Sequence, residues 1–166
     1  NLERNQIFGT FRVNDTAVEY INGLPPAKSL FADGWFDGVD LHIDIETGRI
    51  LKQEINGTTL EFSDVYSGEE IGSLSLRSHG PLSDLVIFPG FPTKFVSWLK
   101  SAQSQKLDGT AKANLNIHFP LISGLTVQDL TTKGEVTFQQ LTLQRNEHIL
   151  GERQLNIVDG TGRDFF

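Results

Sequence analysis

The chain has 166 residues, 38% of them hydrophobic, and sets 21 acidic side chains against 14 Lys and Arg for a formal charge of −7. That size and apolar content suit a single folded domain over 1–166 and exclude a disordered chain. The acidity excludes nucleic acid, whose binding rests on Lys and Arg neutralising phosphates, and excludes electrostatic docking on anionic headgroups, so a lipid would have to be met by apolar surface.

Taken in chain order, the first apolar alternation covers residues 7–13 and ends before the turn signal Asn22-Gly23 and the pair Pro25-Pro26. Asp33-Gly34 and Asp37-Gly38 read as turns. Between those turns Trp35 is expected to pack. Residues 39–46 alternate strictly: Val39, Leu41, Ile43 and Ile45 fall on one face, Asp40, His42, Asp44 and Glu46 on the other. Asn56-Gly57 precedes a short alternation at 58–62, and Ser67-Gly68 and His79-Gly80-Pro81 mark further breaks.

Residues 91–103 abandon this period. Phe91, Phe95, Trp98, Leu99 and Ala102 follow helical spacing, which predicts a short amphipathic helix, either a lid packed on the sheet or a helix lying on a membrane or partner, with Lys94, Lys100 and Lys106 solvated. After the turn signal Asp108-Gly109, the longest alternation places Ala111, Ala113, Leu115, Ile117 and Phe119 on one face, and Phe119-Pro120 should end it. A last clear strand at 133–138 contributes Val136 and Phe138, and Asp159-Gly160 is the final turn signal. Ten to twelve strands of this kind, each with one wet face, predict an all-β antiparallel fold.

Reactive chemistry is sparse. The absence of cysteine removes disulfides, thiolate metal sites and cysteine nucleophiles. His42, His79, His118 and His148 are scattered without metal-ligand spacing. Asp40, Asp44 and Glu46 could supply a carboxylate pair for glycoside hydrolysis, but a charged ladder on a wet strand face is the ordinary condition of such a strand. Ser97, Ser101 and Ser104 sit in no nucleophile elbow, and Gly160-Thr161-Gly162 lacks the lysine of a phosphate cradle. The expectation is no enzyme, no cofactor and no metal.

Several motifs together carry a resemblance. Gly9-Thr10-Phe11-Arg12-Val13 resembles an opening strand, and Val18-Glu19-Tyr20-Ile21-Asn22-Gly23-Leu24-Pro25-Pro26 a tyrosine-to-proline connector, of the AsmA-like, YhdP-type family of envelope proteins. Gly80-Pro81-Leu82-Ser83-Asp84, the 91–103 helix, Leu107-Asp108-Gly109-Thr110-Ala111, Ile117-His118-Phe119-Pro120-Leu121 and Thr132-Lys133-Gly134-Glu135-Val136 follow in the family's order. The resemblance covers nearly the whole chain up to Arg145.

What the resemblance implies is a long, strongly curved antiparallel sheet, a β-groove that shields phospholipid acyl chains during transport between inner and outer membrane. It implies a periplasmic location in a Gram-negative cell and an inner-membrane anchor elsewhere in the full-length protein. A chain opening on Asn1 without any methionine is expected to be a piece of that larger protein. The groove-lining residues would be Val39, Leu41, Ile43, Ile45, Ala113, Leu115, Ile117, Phe119, Val136 and Phe138, with Phe91, Phe95, Trp98 and Leu99 on the lid. Neighbouring repeats of the same chain would pair at open sheet edges. The competing expectation is a closed, two-sheet β-sandwich with a sealed core, acting as a spacer or as a binding module for a glycan or protein partner.

Overall fold

The computed structural model describes residues 7–63, 70–85, 87, 107–143, 148–149 and 153–157. Its strands are β1 (Gly9–Val18), β2 (Ala27–Phe36), β3 (Leu41–Ile50), β4 (Gln53–Glu54), β5 (Thr58–Ser63), β6 (Ile71–Pro81), β7 (Leu107–Pro120), β8 (Thr131–Leu143), β9 (His148–Ile149) and β10 (Arg153–Ile157). One four-residue helix, α1 (Leu82–Leu85), follows β6. The amphipathic segment 91–103, with Phe91, Phe95, Trp98 and Leu99, lies outside the described residues, as do the turn signals at 67–68 and 159–160.

All ten strands belong to one antiparallel sheet, ordered β1-β2-β3-β4-β6-β7-β8-β10, with β5 bridging β3 and β6 and β9 attached to β8. The fold is all-β, as the alternation requires. Among the described residues the strands form a single hydrogen-bonded sheet.

Register converts strand alternation into rows that cross the sheet. One apolar row runs Phe11, Gly34, Ile43, Leu60, Leu74, Ile117 from β1 to β7, and the next runs Gly9, Phe36, Leu41, Phe62, Gly72, Phe119. On the opposite face the rows are polar: Thr10, Trp35, His42, Glu61, Ser73, His118, and beside it Arg12, Asp33, Asp44, Thr59, Ser75, Asn116. Every side chain in a strand keeps its face because the side-chain period is two.

Five register shifts interrupt this order among the described residues, two between β1 and β2, two between β2 and β3 and one between β7 and β8. β1 shifts between Val13 and Thr16 and β2 between Lys28 and Phe31. Asp15 and Ser29, with φ of 47° and 51°, lie in these two segments. Paired bulges on adjacent strands sharpen the local twist.

The core sits on the apolar face, toward the end of the sheet where α1 packs on β6 and β7. Leu82 and Leu85 are 1% and 0% exposed, and together with Ala111, Ala113, Leu115, Val136 and Phe138 they form one buried cluster. Each such leucine contributes about 1.5–3 kcal/mol by leaving water. Gln53, also fully buried, donates from Nε2 to the Pro81 carbonyl at 2.6 Å and ties β4 to the end of β6.

Candidate functional site

Beyond this sealed end, the apolar rows run into an open cavity of about 460 Å³. Ile43, Leu60, Leu74 and Ile117, four consecutive members of one row, form its floor, and Phe62 and Phe119 continue it in the next row. Connections from opposite ends of the strands add walls: Tyr20 and Ile21 follow β1, and Leu121, Ile122 and Leu125 follow β7. Among the described residues no charged side chain lines this space. Thr58, the one hydroxyl on a lining strand, is satisfied by its own exchange with the Arg77 backbone, donating to the carbonyl at 3.3 Å and accepting from the N–H at 3.1 Å.

The ten expected lining residues separate into four groups. Ile43, Ile45, Ile117 and Phe119 line the cavity. Ala113, Leu115, Val136 and Phe138 share the same face but lie in the sealed core, each no more than 4% exposed. Leu41 is half-buried beside Phe62, outside the cavity wall. Val39 is a correction: it precedes β3, in a turn where its N–H donates to Asp37 Oδ1 at 3.3 Å, and Asp40 donates to the same oxygen at 3.0 Å. The acceptor at Asp37 pulls the chain out of strand geometry before the alternation begins.

Leu74 was not legible as a lining residue because β6 alternates small groups, Gly72, Ser78 and Gly80, with only Leu74 and Leu76 to mark its apolar face. Leu60 lies within an alternation that the sequence does show. Tyr20 and Ile21 lie in a connector, where strand period says nothing.

Tyr20 has an electrostatic consequence. Its hydroxyl is buried without a hydrogen-bond partner among the described residues, and burial pushes its pKa up to about 12 from 10.0. Below pH 10 the phenol is neutral whether folded or unfolded. Between about 10 and 12 the unfolded chain releases the proton and the folded chain retains it, so stability falls as pH rises through that window. Tyr20→Phe should flatten this part of the profile and leave stability at pH 7 unchanged or slightly higher, because an unpartnered buried hydroxyl is removed. Urea midpoints of both proteins from neutral to alkaline pH check this; parallel profiles would exclude the assignment.

The wet face carries the titratable groups. Arg12 meets Asp33 in a two-pronged pair, Nε to Oδ1 at 2.6 Å and Nη2 to Oδ2 at 2.7 Å, and the hydrogen bond from Arg12 holds the Asp33 carboxyl below its ordinary range. His42 stands between two carboxylates, Nε2 3.1 Å from Asp44 and Nδ1 3.2 Å from Glu61. Its ring stacks on Trp35 at 5.5 Å and 13°. Trp35 is therefore an exposed wet-face residue, against the expectation that it packs in the interior. Asp33-Gly34 is likewise no turn but the middle of β2, where the Phe11 ring lies over the bare glycine. Among the described residues, no three His, Asp or Glu side chains converge where a metal ion could be held, and no helix is long and apolar enough to cross a membrane.

Comparison of the chain with protein-family models, curated proteins and solved structures finds no match.

Proposed function

We propose that this chain is one segment of an AsmA-like groove that shelters phospholipid acyl chains as they pass between the inner and outer membranes of a Gram-negative envelope. The observation that carries this reading is the open cavity, apolar on its floor and on both flanking connections and lined by no charged side chain among the described residues. Such a concave surface, apolar throughout with few polar groups, is the kind that binds apolar ligands.

The same cavity supports a curved sheet. Val13 on β1 and Ile117 on β7 both line it, five strand spacings apart, which a flat sheet would hold roughly 24 Å from one another. The paired bulges of β1 and β2 supply added twist at one side of that span. In this reading the segment is not an enzyme and uses no cofactor. Its neighbours are further repeats of the same protein, which pair with the outer edge of β1, and its membrane anchor and its periplasmic placement belong to the full-length chain.

The chemistry of the wall explains what it would and would not select. Each methylene taken from water contributes about 0.8 kcal/mol wherever it lies along the row. A chain can advance one position without losing a specific bond. Headgroups have no charged partner in the cavity and would be discriminated poorly.

Ile43→Asp tests this directly. Ile43 is half-buried at the cavity floor, so an aspartate there can hydrate through the opening and the fold should persist. The variant is expected to lose at least tenfold in affinity for a fluorescent fatty-acid analogue, and to lose co-purified phospholipid by mass spectrometry, with an unchanged circular dichroism spectrum. A folded wild-type chain that takes up neither ligand would end the proposal.

A further inference from the structure

On the opposite face of the sheet, Trp35 presents an indole surface beside both hydrogen-bond donors and acceptors. In register, Trp35 lies between His42 on β3 and Thr10 on β1. The His42 ring stacks nearly parallel to the indole on its β3 side, and on the β1 side the indole's register partner is the short Thr10, with Arg12 in the next wet row. A surface cleft of about 500 Å³ opens there, bounded by Thr10, Arg12, Asp33, Trp35 and Asp44. Its floor is the backbone at Phe11 and Gly34, which register sets between the two wet rows.

The groups around the cleft are not exhausted by their contacts with each other. Arg12 uses two of its five N–H donors on Asp33. Asp44, 62% exposed, accepts from Thr59 Oγ1 at 3.0 Å and faces His42, which leaves carboxylate lone pairs open. An apolar planar wall with donors on one side and acceptors on the other suits a ring that has an apolar face and hydroxyls around its edge, each able both to give and to accept.

We infer that this cleft binds a neutral pyranose ring of a glycan, stacked on Trp35 and held at its rim by Arg12, Asp33 and Asp44. Asp33, Asp44 and Glu61 repel an anionic sugar. A quaternary cation is a poorer fit, since its recognition needs a cage of aromatic rings and this cleft offers a single indole. The site is independent of the acyl cavity, because the two rows that build it point away from the apolar face. A single stacked ring gives a dissociation constant on the order of 1 mM, tightened by longer oligosaccharides if further rings reach the row beyond.

The test is titration of the ¹⁵N-labelled chain with methyl β-D-glucopyranoside, following the indole N–H resonances, with that of Trp35 assigned by Trp35→Phe. The expected result is a saturable shift of the Trp35 indole signal and of the backbone amides of Thr10 and Asp44; followed on those amides, affinity falls at least tenfold in Trp35→Ala, is retained in Trp35→Phe and weakens several-fold in Asp44→Asn, with glucuronate and tetramethylammonium binding more weakly. Uptake of the acyl analogue should be intact in Trp35→Ala, which separates this site from the cavity. A Trp35 resonance unmoved by the pyranoside, or moved more strongly by tetramethylammonium, overturns the inference.

Discussion

Leu115→Asp should abolish cooperative folding altogether. Leu115 is 1% exposed, sits in the centre of β7 between Leu76 and Gly134, and belongs to the buried cluster under α1. An aspartate there loses the leucine's packing, about 2–5 kcal/mol for deletion alone, and must also bury a carboxyl with no partner or take up a proton to avoid doing so. The two losses together reach at least ~5 kcal/mol, comparable to the whole stability of many domains. The measurement is a denaturant transition, expected to be cooperative in the wild type and absent in the variant. A transition that survives with a midpoint close to the wild type would mean that this end of the sheet is open to water, and that the apolar face is a groove over its full length. The contrast with Ile43→Asp, three strand spacings across the sheet and one apolar row along it and expected to stay folded, maps where the sealed core gives way to the cavity.

Gly134→Ala is the second large effect, and it comes from the backbone. Gly134 lies in β8 with φ of 156°, opposite Leu115. A methyl group at this position would run into the carbonyl oxygen of Asn114 and stand 2.8 Å from the Leu115 Cα, so the obstacle is the neighbouring strand itself and not a side chain that can swing aside. We expect a loss of about 3–4 kcal/mol from strained geometry and a disturbed β7–β8 ladder. Thermal unfolding and amide exchange in β7 are the readouts, with protection lost first around Asn114 and Leu115. A variant within 0.5 kcal/mol of wild type, the range of an ordinary surface change, would refute the clash.

Much of the sheet could be read from alternation, and β7 shows why. Ala111, Ala113, Leu115 and Ile117 are buried while Lys112, Asn114, Asn116 and His118 are exposed, residue for residue as the sequence alternates, because a strand with one wet face has no other way to satisfy both. Turn signals were less dependable. Asn22-Gly23, Asp37-Gly38 and Asn56-Gly57 do have glycines at positive φ, but Asp33-Gly34 and Asp108-Gly109 lie inside strands. At Gly109, φ of 140° accompanies a register shift between Asp108 and Thr110, so the glycine makes a bulge where the dipeptide alone suggests a hairpin.

The candidate site was harder to see than the fold. Alternation assigns Leu115 and Ile117 to the same face with equal force, and both are buried, yet Ile117 borders the cavity and Leu115 does not. That difference is made by what lies across the sheet, and it has no local signature. Nor could the exposure of Trp35 be read, since a tryptophan between two apparent turns is equally well placed for core or surface. Only pairing with Thr10 and His42 assigns it to the wet side.

The glycine in the outer apolar row has one more effect. The Phe119 ring lies where a Gly72 side chain would begin, so it rests against the neighbouring backbone and does not rise into the space above. The headroom over that strand pair is thus set by an atom that is missing. A single methyl at Gly72 would tip the ring upward and narrow the passage, without adding any polar or charged group to its wall. Bore, in this sheet, is adjustable separately from surface chemistry.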